Sequence, residues 1–97
     1  MNIKNKQILE SILVKEIKKI IKTEKIKINL DKLLKFPLIG KNTALDSIAL
    51  INFLSGVETE TNKFFKTKIV IADENLLNNL KILSNLETLC KHILKKI

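Results

Sequence analysis

Arginine, tryptophan and tyrosine are absent from this 97-residue chain, and cysteine, proline, methionine and histidine each occur once. Without arginine there is no bidentate contact to guanine, the commonest specific reading of a DNA base. Without tryptophan or tyrosine the platforms on which single-stranded bases stack are reduced to four phenylalanines. The lone Cys90 excludes an internal disulfide, and no CxxC pair or His/Cys cluster marks a metal site. Two glycines and one proline, with 45% hydrophobic residues, suit an ordered helical domain and exclude a disordered one. No uninterrupted apolar run approaches the ~20 residues of a membrane-spanning helix. The apolar stretch from Ile8 to Val14 is broken by Glu10 and followed by lysines, unlike a signal peptide. The expectation is a cytoplasmic protein without membrane insertion, forming one domain over residues 1–97.

Lysine is what the chain has in excess. Eighteen of them give a net charge of +8, which invites a nucleic-acid reading. The lysines do not interleave with aromatics, however, so no nucleic-acid partner is expected. Lys, Ile and Asn make up 44 residues, a bias that an AT-rich coding sequence produces. One interval escapes it. No lysine falls between Asn42 and Asn62, where Asp46, Glu58 and Glu60 give −3. A basic chain has kept one segment acidic.

Residues from about Lys4 to Glu24 repeat at helical spacing, with Leu9, Leu13, Ile17 and Ile20 on one side. Lys15, Lys18, Lys19 and Lys22 gather on the other as a solvated face. A long connection from Lys25 to Asp46 follows, with Leu30, Leu33, Leu34, Phe36, Leu38 and Ile39 available to pin it down. Asp31 can start a short turn there. The alternation Lys25-Ile-Lys-Ile is also compatible with a strand pairing with Lys68-Ile-Val-Ile. A second helix is predicted from Ser47 to about Phe64, with Leu50, Phe53, Leu54, Val57, Thr61 and Phe64 as its core face. The opposite stripe is Ile48, Asn52, Ser55, Thr59 and Asn62. Gly56 in mid-helix costs roughly 1 kcal/mol against alanine, and a close helix contact is one reason to keep it. Asp73 caps a short helix running to about Leu80, with Leu76, Leu77 and Leu80 inward. Ser84 to Glu87 reads as a capping box opening a last helix, whose buried stripe is Leu86, Leu89, Cys90, Ile93 and Ile97. Lys95 and Lys96 complement the dipole at its end. The pattern is all-α: a small four-helix bundle of three main helices and one short one.

Asp46-Ser47 stands where the connection becomes the second helix. A hydrolytic serine needs a base and an orienting acid, but the only histidine is His92 in the lysine-rich last helix. No GxSxG elbow is present either, so no catalytic residue is assigned. Asp and Ser are both preferred N-cap residues, and a plain cap explains them. A modified serine explains them too, because free N–H groups and the positive dipole end favour a phosphate ester.

Leu45-Asp-Ser-Ile-Ala-Leu-Ile, followed by Lys68-Ile-Val-Ile-Ala-Asp-Glu and a final short amphipathic helix, resembles the acyl carrier protein family over nearly the whole chain. In that family an Asp-Ser-Leu motif opens the second helix of a four-helix bundle. The resemblance implies that Ser47 receives phosphopantetheine from coenzyme A, attached by a separate phosphopantetheinyl transferase with Mg²⁺. Asp46 is then the contact to the transferase and its metal. The chain becomes a carrier and not an enzyme, holding an acyl or aminoacyl group as a thioester. A loading ligase and an acyltransferase or synthase are the implied partners. Ile48, Asn52, Ser55, Glu58, Thr59 and Glu60 become the partner-facing residues of a monomer.

Four departures from the family pattern have consequences. Ala44 stands where many members have glycine, Ile48 replaces leucine, the partner-facing stripe is poor in acid, and the segment after the second helix is longer. They point towards a specialised carrier, in polysaccharide or secondary-metabolite assembly or aminoacyl transfer. The alternative is a non-catalytic helical interaction module with no prosthetic group, either a degenerate carrier fold or a lysine-rich nucleic-acid adaptor.

Overall fold

The computed structural model describes residues 3–23, 35, 37–39 and 45–97, without the side chains of Ile3, Asn75 and Leu77. The described residues are helical with no strand: α1 (Ile3–Thr23), α2 (Ser47–Phe65), α3 (Glu74–Asn78), a 3₁₀ turn (Leu80–Leu83) and α4 (Leu86–Leu94). Among the described residues no helix is long and apolar enough to cross a membrane.

The helix α1 is the central support, packing on both α2 and α4. Its Leu9, Leu13 and Ile17 are fully buried, as their i, i+4, i+8 spacing predicts, and Lys15, Lys18, Lys19 and Lys22 are exposed. Phe53, Leu54, Val57 and Thr61 meet them from α2, and Leu86, Leu89, Cys90 and Ile93 from α4. Burial pushes the Cys90 thiol up to about 11, so it stays protonated and serves as packing. Of the connection, Leu38 is buried and Ile39 rests against the same core. The expectations for 25–34, Phe36 and Ala44 lie outside the described residues.

One acid hides between α1 and α2. Glu16 is buried on the α1 surface facing Gly56, and its Oε2 lies 3.0 Å from Lys19 Nζ. A side chain at position 56 would run into Glu16 Oε1. A close helix contact, the reason its mid-helix position suggested, is therefore present at Gly56. The atom in the way is the tip of a flexible side chain beside an exposed lysine, so it can move out. Gly56→Ala should accordingly stay within about 1 kcal/mol of wild type, since the helix-propensity gain offsets the displacement. Gly56→Leu must separate the helices and should cost about 1–3 kcal/mol. Urea unfolding of both variants checks this, and an equal loss in the two would refute the account.

Several local expectations need correction. Phe64, assigned to the core, is 58% exposed and instead meets Phe65 edge to face with ring centroids 5.3 Å apart. The last helix does not open on Ser84. Asn85 is its N-cap: Oδ1 accepts from Thr88 N at 2.9 Å, and Asn85 N donates to Thr88 Oγ1 at 3.2 Å. Ser84 Oγ donates to Lys81 O at the end of the preceding turn. The short helix ends at Asn78, leaving Leu80 exposed in the 3₁₀ turn, and Ile97 is only half-buried beyond α4. Leu77, also assigned inward, has its side chain outside the described residues.

The segment 67–71 forms no strand, because α2 side chains take its backbone groups. Asn62 Oδ1 accepts from Ile69 N at 2.9 Å, and its Nδ2 donates to Ile69 O at 3.0 Å. Glu58 Oε1 accepts from Ile71 N at 2.8 Å. Asn62 is thus a staple and not part of a free solvent stripe.

Candidate functional site

The start of α2 is built by local chemistry. Asp46 is extended (φ −84°, ψ 177°), and its Oδ1 accepts from Ala49 N at 2.7 Å. This satisfies one of the N–H groups that every helix start leaves without an intrahelical partner. Leu45 before it is buried and Leu50 is half-buried, the two positions of a hydrophobic staple. Capping therefore belongs to Asp46. Ser47 is the first helical residue, exposed, and its hydroxyl makes no hydrogen bond among the described residues. It carries no activating base. It does stand at the positive end of a 19-residue helix, where a phosphate ester is favoured.

The α2 residues that the resemblance marks as partner-facing separate into two groups. Ile48, Asn52, Ser55 and Thr59 share one exposed stripe, with Ile48 71% exposed. Glu58 is half-buried and committed to Ile71 N, and Glu60 lies about a third of a turn round the helix from Ile48. The acids of the lysine-free interval do not form one face.

Residues beyond this expectation complete the surface. Ile51 is 64% exposed, and with Leu54, Ser55 and Glu58 of α2 it lines a groove whose other wall is Val70 and Ala72. The groove encloses about 280 Å³. Ser47, Ile51, Leu54, Ser55 and Glu58 follow at i, i+4, i+7, i+8 and i+11, so the groove continues the side of α2 that begins with the serine. The i, i+3 pair Ile48 and Ile51 and the alternation Ile69, Val70, Ile71 were the available sequence signals for it.

Neither a protein-family model, a curated protein nor a solved structure matches the chain. Among the described residues no three His, Cys, Asp or Glu side chains stand together as a metal site.

Asp73 ties the start of α3 to the end of α4. Its Oδ1 accepts from Leu76 N at 3.1 Å to cap α3, and its Oδ2 pairs with Lys96 Nζ at 2.6 Å. Lys96 is thereby committed to Asp73, whereas Lys95 ends α4 as its C-cap. The Lys96 hydrogen bond, helped by Leu76 N–H, holds the Asp73 carboxyl below its ordinary value of 3.8. His92 is half-buried and not a surface residue. Burial first, and Lys96 second, hold its imidazole below 6.5.

Both shifts give the unfolded state more protons as pH falls, so both reduce stability on acidification. The His92 contribution is lost from about 6.5 downward, because the unfolded histidine protonates first. The Asp73 contribution is present above 3.8 and lost as pH falls through the lower folded value. His92→Gln should remove the early loss and Asp73→Asn the late one in melting temperatures recorded against pH. Identical pH profiles for wild type and both variants would contradict these assignments.

Proposed function

We propose that the chain is a carrier protein, modified at Ser47 with phosphopantetheine by a separate transferase. The observation that carries this reading is the division of labour at the start of α2. Asp46 does the capping, so the neighbouring hydroxyl is exposed at the helix N-terminus and without a hydrogen bond among the described residues. A serine that was only a cap would use its own oxygen. The order of elements is also that of a carrier-like four-helix bundle: long α1, connection, serine-bearing α2, short α3, then α4.

The residues present fit the arm. The N–H groups at the start of α2 favour its phosphate, and the groove of Ile51, Leu54, Val70 and Ala72 offers apolar cover beside it. When attached, the arm supplies a thiol that holds an acyl or aminoacyl group as a thioester. The chain itself performs no catalysis: it presents Ser47 to the transferase, Asp46 beside it meets the transferase and its metal, and the exposed Ile48, Asn52, Ser55 and Thr59 meet partner enzymes. Charge complementarity is thinner than the sequence implied, since Glu58 is engaged and Glu60 lies off that stripe. Partner choice then rests on Ile48 and Ile51 more than on acids. This favours a specialised carrier with dedicated partners.

Coexpression with a broad-range phosphopantetheinyl transferase tests the reading. Intact-mass spectrometry should show the addition of one arm. An unshifted mass with several such transferases would leave the interaction-module reading, which the exposed lysine face of α1 favours.

A further inference from the structure

A second groove, of about 300 Å³, runs between the 3₁₀ turn and α4. Its walls include Asn79 and Lys81 on one side and Thr88, Lys91, His92 and Lys95 on the other. The α4 residues stand at i, i+3, i+4 and i+7 and so form one face. No carboxylate lines the groove. Lys81, Lys91 and Lys95 take part in no ion pair among the described residues, whereas nearby Lys96 is held by Asp73. The C-terminal dipole of α4 accounts for a cation at Lys95 but not for Lys81 across the groove.

Independently, His92 Nε2 is buried and has no hydrogen-bond partner among the described residues. Buried polar atoms are almost always paired, so an orphan calls for a partner the protein does not supply. Three ammonium groups outside any ion pair line one groove with the half-buried His92 and no carboxylate, a positive field that favours an anion with several acceptor oxygens. Lysine binds phosphate as a point charge, and the volume admits one or two phosphate groups.

We propose that this groove is an anion-binding site for a phosphate or diphosphate group, free or borne by a larger molecule. It does not depend on the modification of Ser47, and Ser47→Ala should leave it intact.

The test is a titration of the full chain with inorganic pyrophosphate, followed by NMR at the His92 imidazole. The resonance should shift saturably. The apparent His92 pKa should rise by about one unit, because an anion within ~6 Å favours the imidazolium. It would do so against Lys81, Lys91, Lys95 and Lys96 and alongside Asp73, the charged groups that surround the ring. Replacing both Lys91→Gln and Lys95→Gln should raise Kd about tenfold or more. Replacing Lys15→Gln and Lys18→Gln on α1 should change it by no more than about twofold, since distant surface charges are screened. All four side chains are exposed, so the variants should keep the wild-type helicity.

Vesicles containing phosphatidic acid, compared with phosphatidylcholine alone, identify the source. Capture that pyrophosphate competes away indicates a lipid headgroup, and a pyrophosphate response without capture indicates a free anion. An unresponsive His92 at high pyrophosphate, or equal weakening by the two lysine pairs, would overturn the proposal.

Discussion

If Ser47 carries the proposed arm, Ser47→Ala is expected to abolish its attachment while leaving the fold unchanged. The hydroxyl is the only atom lost that the modification needs, and nothing else at the start of α2 can replace it. The fold has no stake in it, because Ser47 is exposed and without a hydrogen bond among the described residues, while the cap is made by Asp46 Oδ1 on Ala49 N. Alanine is also the better helix former, so unfolding free energy should move by less than about 0.5 kcal/mol. Asp46→Ala gives the complementary result. It removes the cap and should cost about 0.5–2 kcal/mol in urea unfolding, with the Ser47 hydroxyl still present. Intact mass and unfolding midpoint together separate the two residues. A Ser47→Ala protein that melts well below wild type would show that the serine has a structural task, and the carrier reading would lose its main support.

Phe53→Ala carries the largest expected cost in stability, about 3–5 kcal/mol. Phe53 is the largest of the fully buried side chains and sits where α2 packs on α1. A domain of this size has a total stability of roughly 5–15 kcal/mol, so the variant should lose a large part of its cooperative unfolding at ambient temperature. Phe64→Ala is the control. The two phenylalanines are three turns apart on the same predicted face, yet Phe64 is exposed and its removal should stay within about 0.5 kcal/mol. Similar losses for both would mean that the C-terminal turn of α2 is covered in solution.

That pair of residues illustrates how far the sequence could be read. Spacing fixes the azimuth of a side chain on its helix, which is why Leu9, Leu13 and Ile17 of α1 and Leu86, Leu89 and Ile93 of α4 are all buried as predicted. Spacing cannot say whether a neighbouring element reaches a given turn, and so Phe64 and Leu80 are exposed despite suitable positions. Caps show the same division. Asp46 and Asp73 act as expected, but at α4 the box is Asn85 with Thr88, one residue beyond the Ser84 and Glu87 assigned from the sequence. Choosing between adjacent caps depends on where the preceding 3₁₀ turn ends, which is a packing outcome.

The candidate site divides along the same line. The position of Ser47 at a helix start, the acid before it and the exposed Ile48 were all legible, because each is a matter of local order along one helix. The use of Glu58 and Asn62 to hold the segment 67–71 was not, because their partners lie 7 to 13 residues further along the chain. For the same reason the groove beside Ile51 and the cation-lined groove beside His92 each need two segments before they exist.

By itself the sequence indicated the helices found among the described residues, the amphipathic faces of the long ones, and a serine placed behind its own cap. These follow from hydrophobic period and from local hydrogen bonding within a few residues. Only the tertiary structure decided which acids remain free, why Gly56 is a glycine, and where lysines from separate elements converge. Each of those depends on two chain segments meeting in space, and the free energy of that meeting is not written in either segment alone.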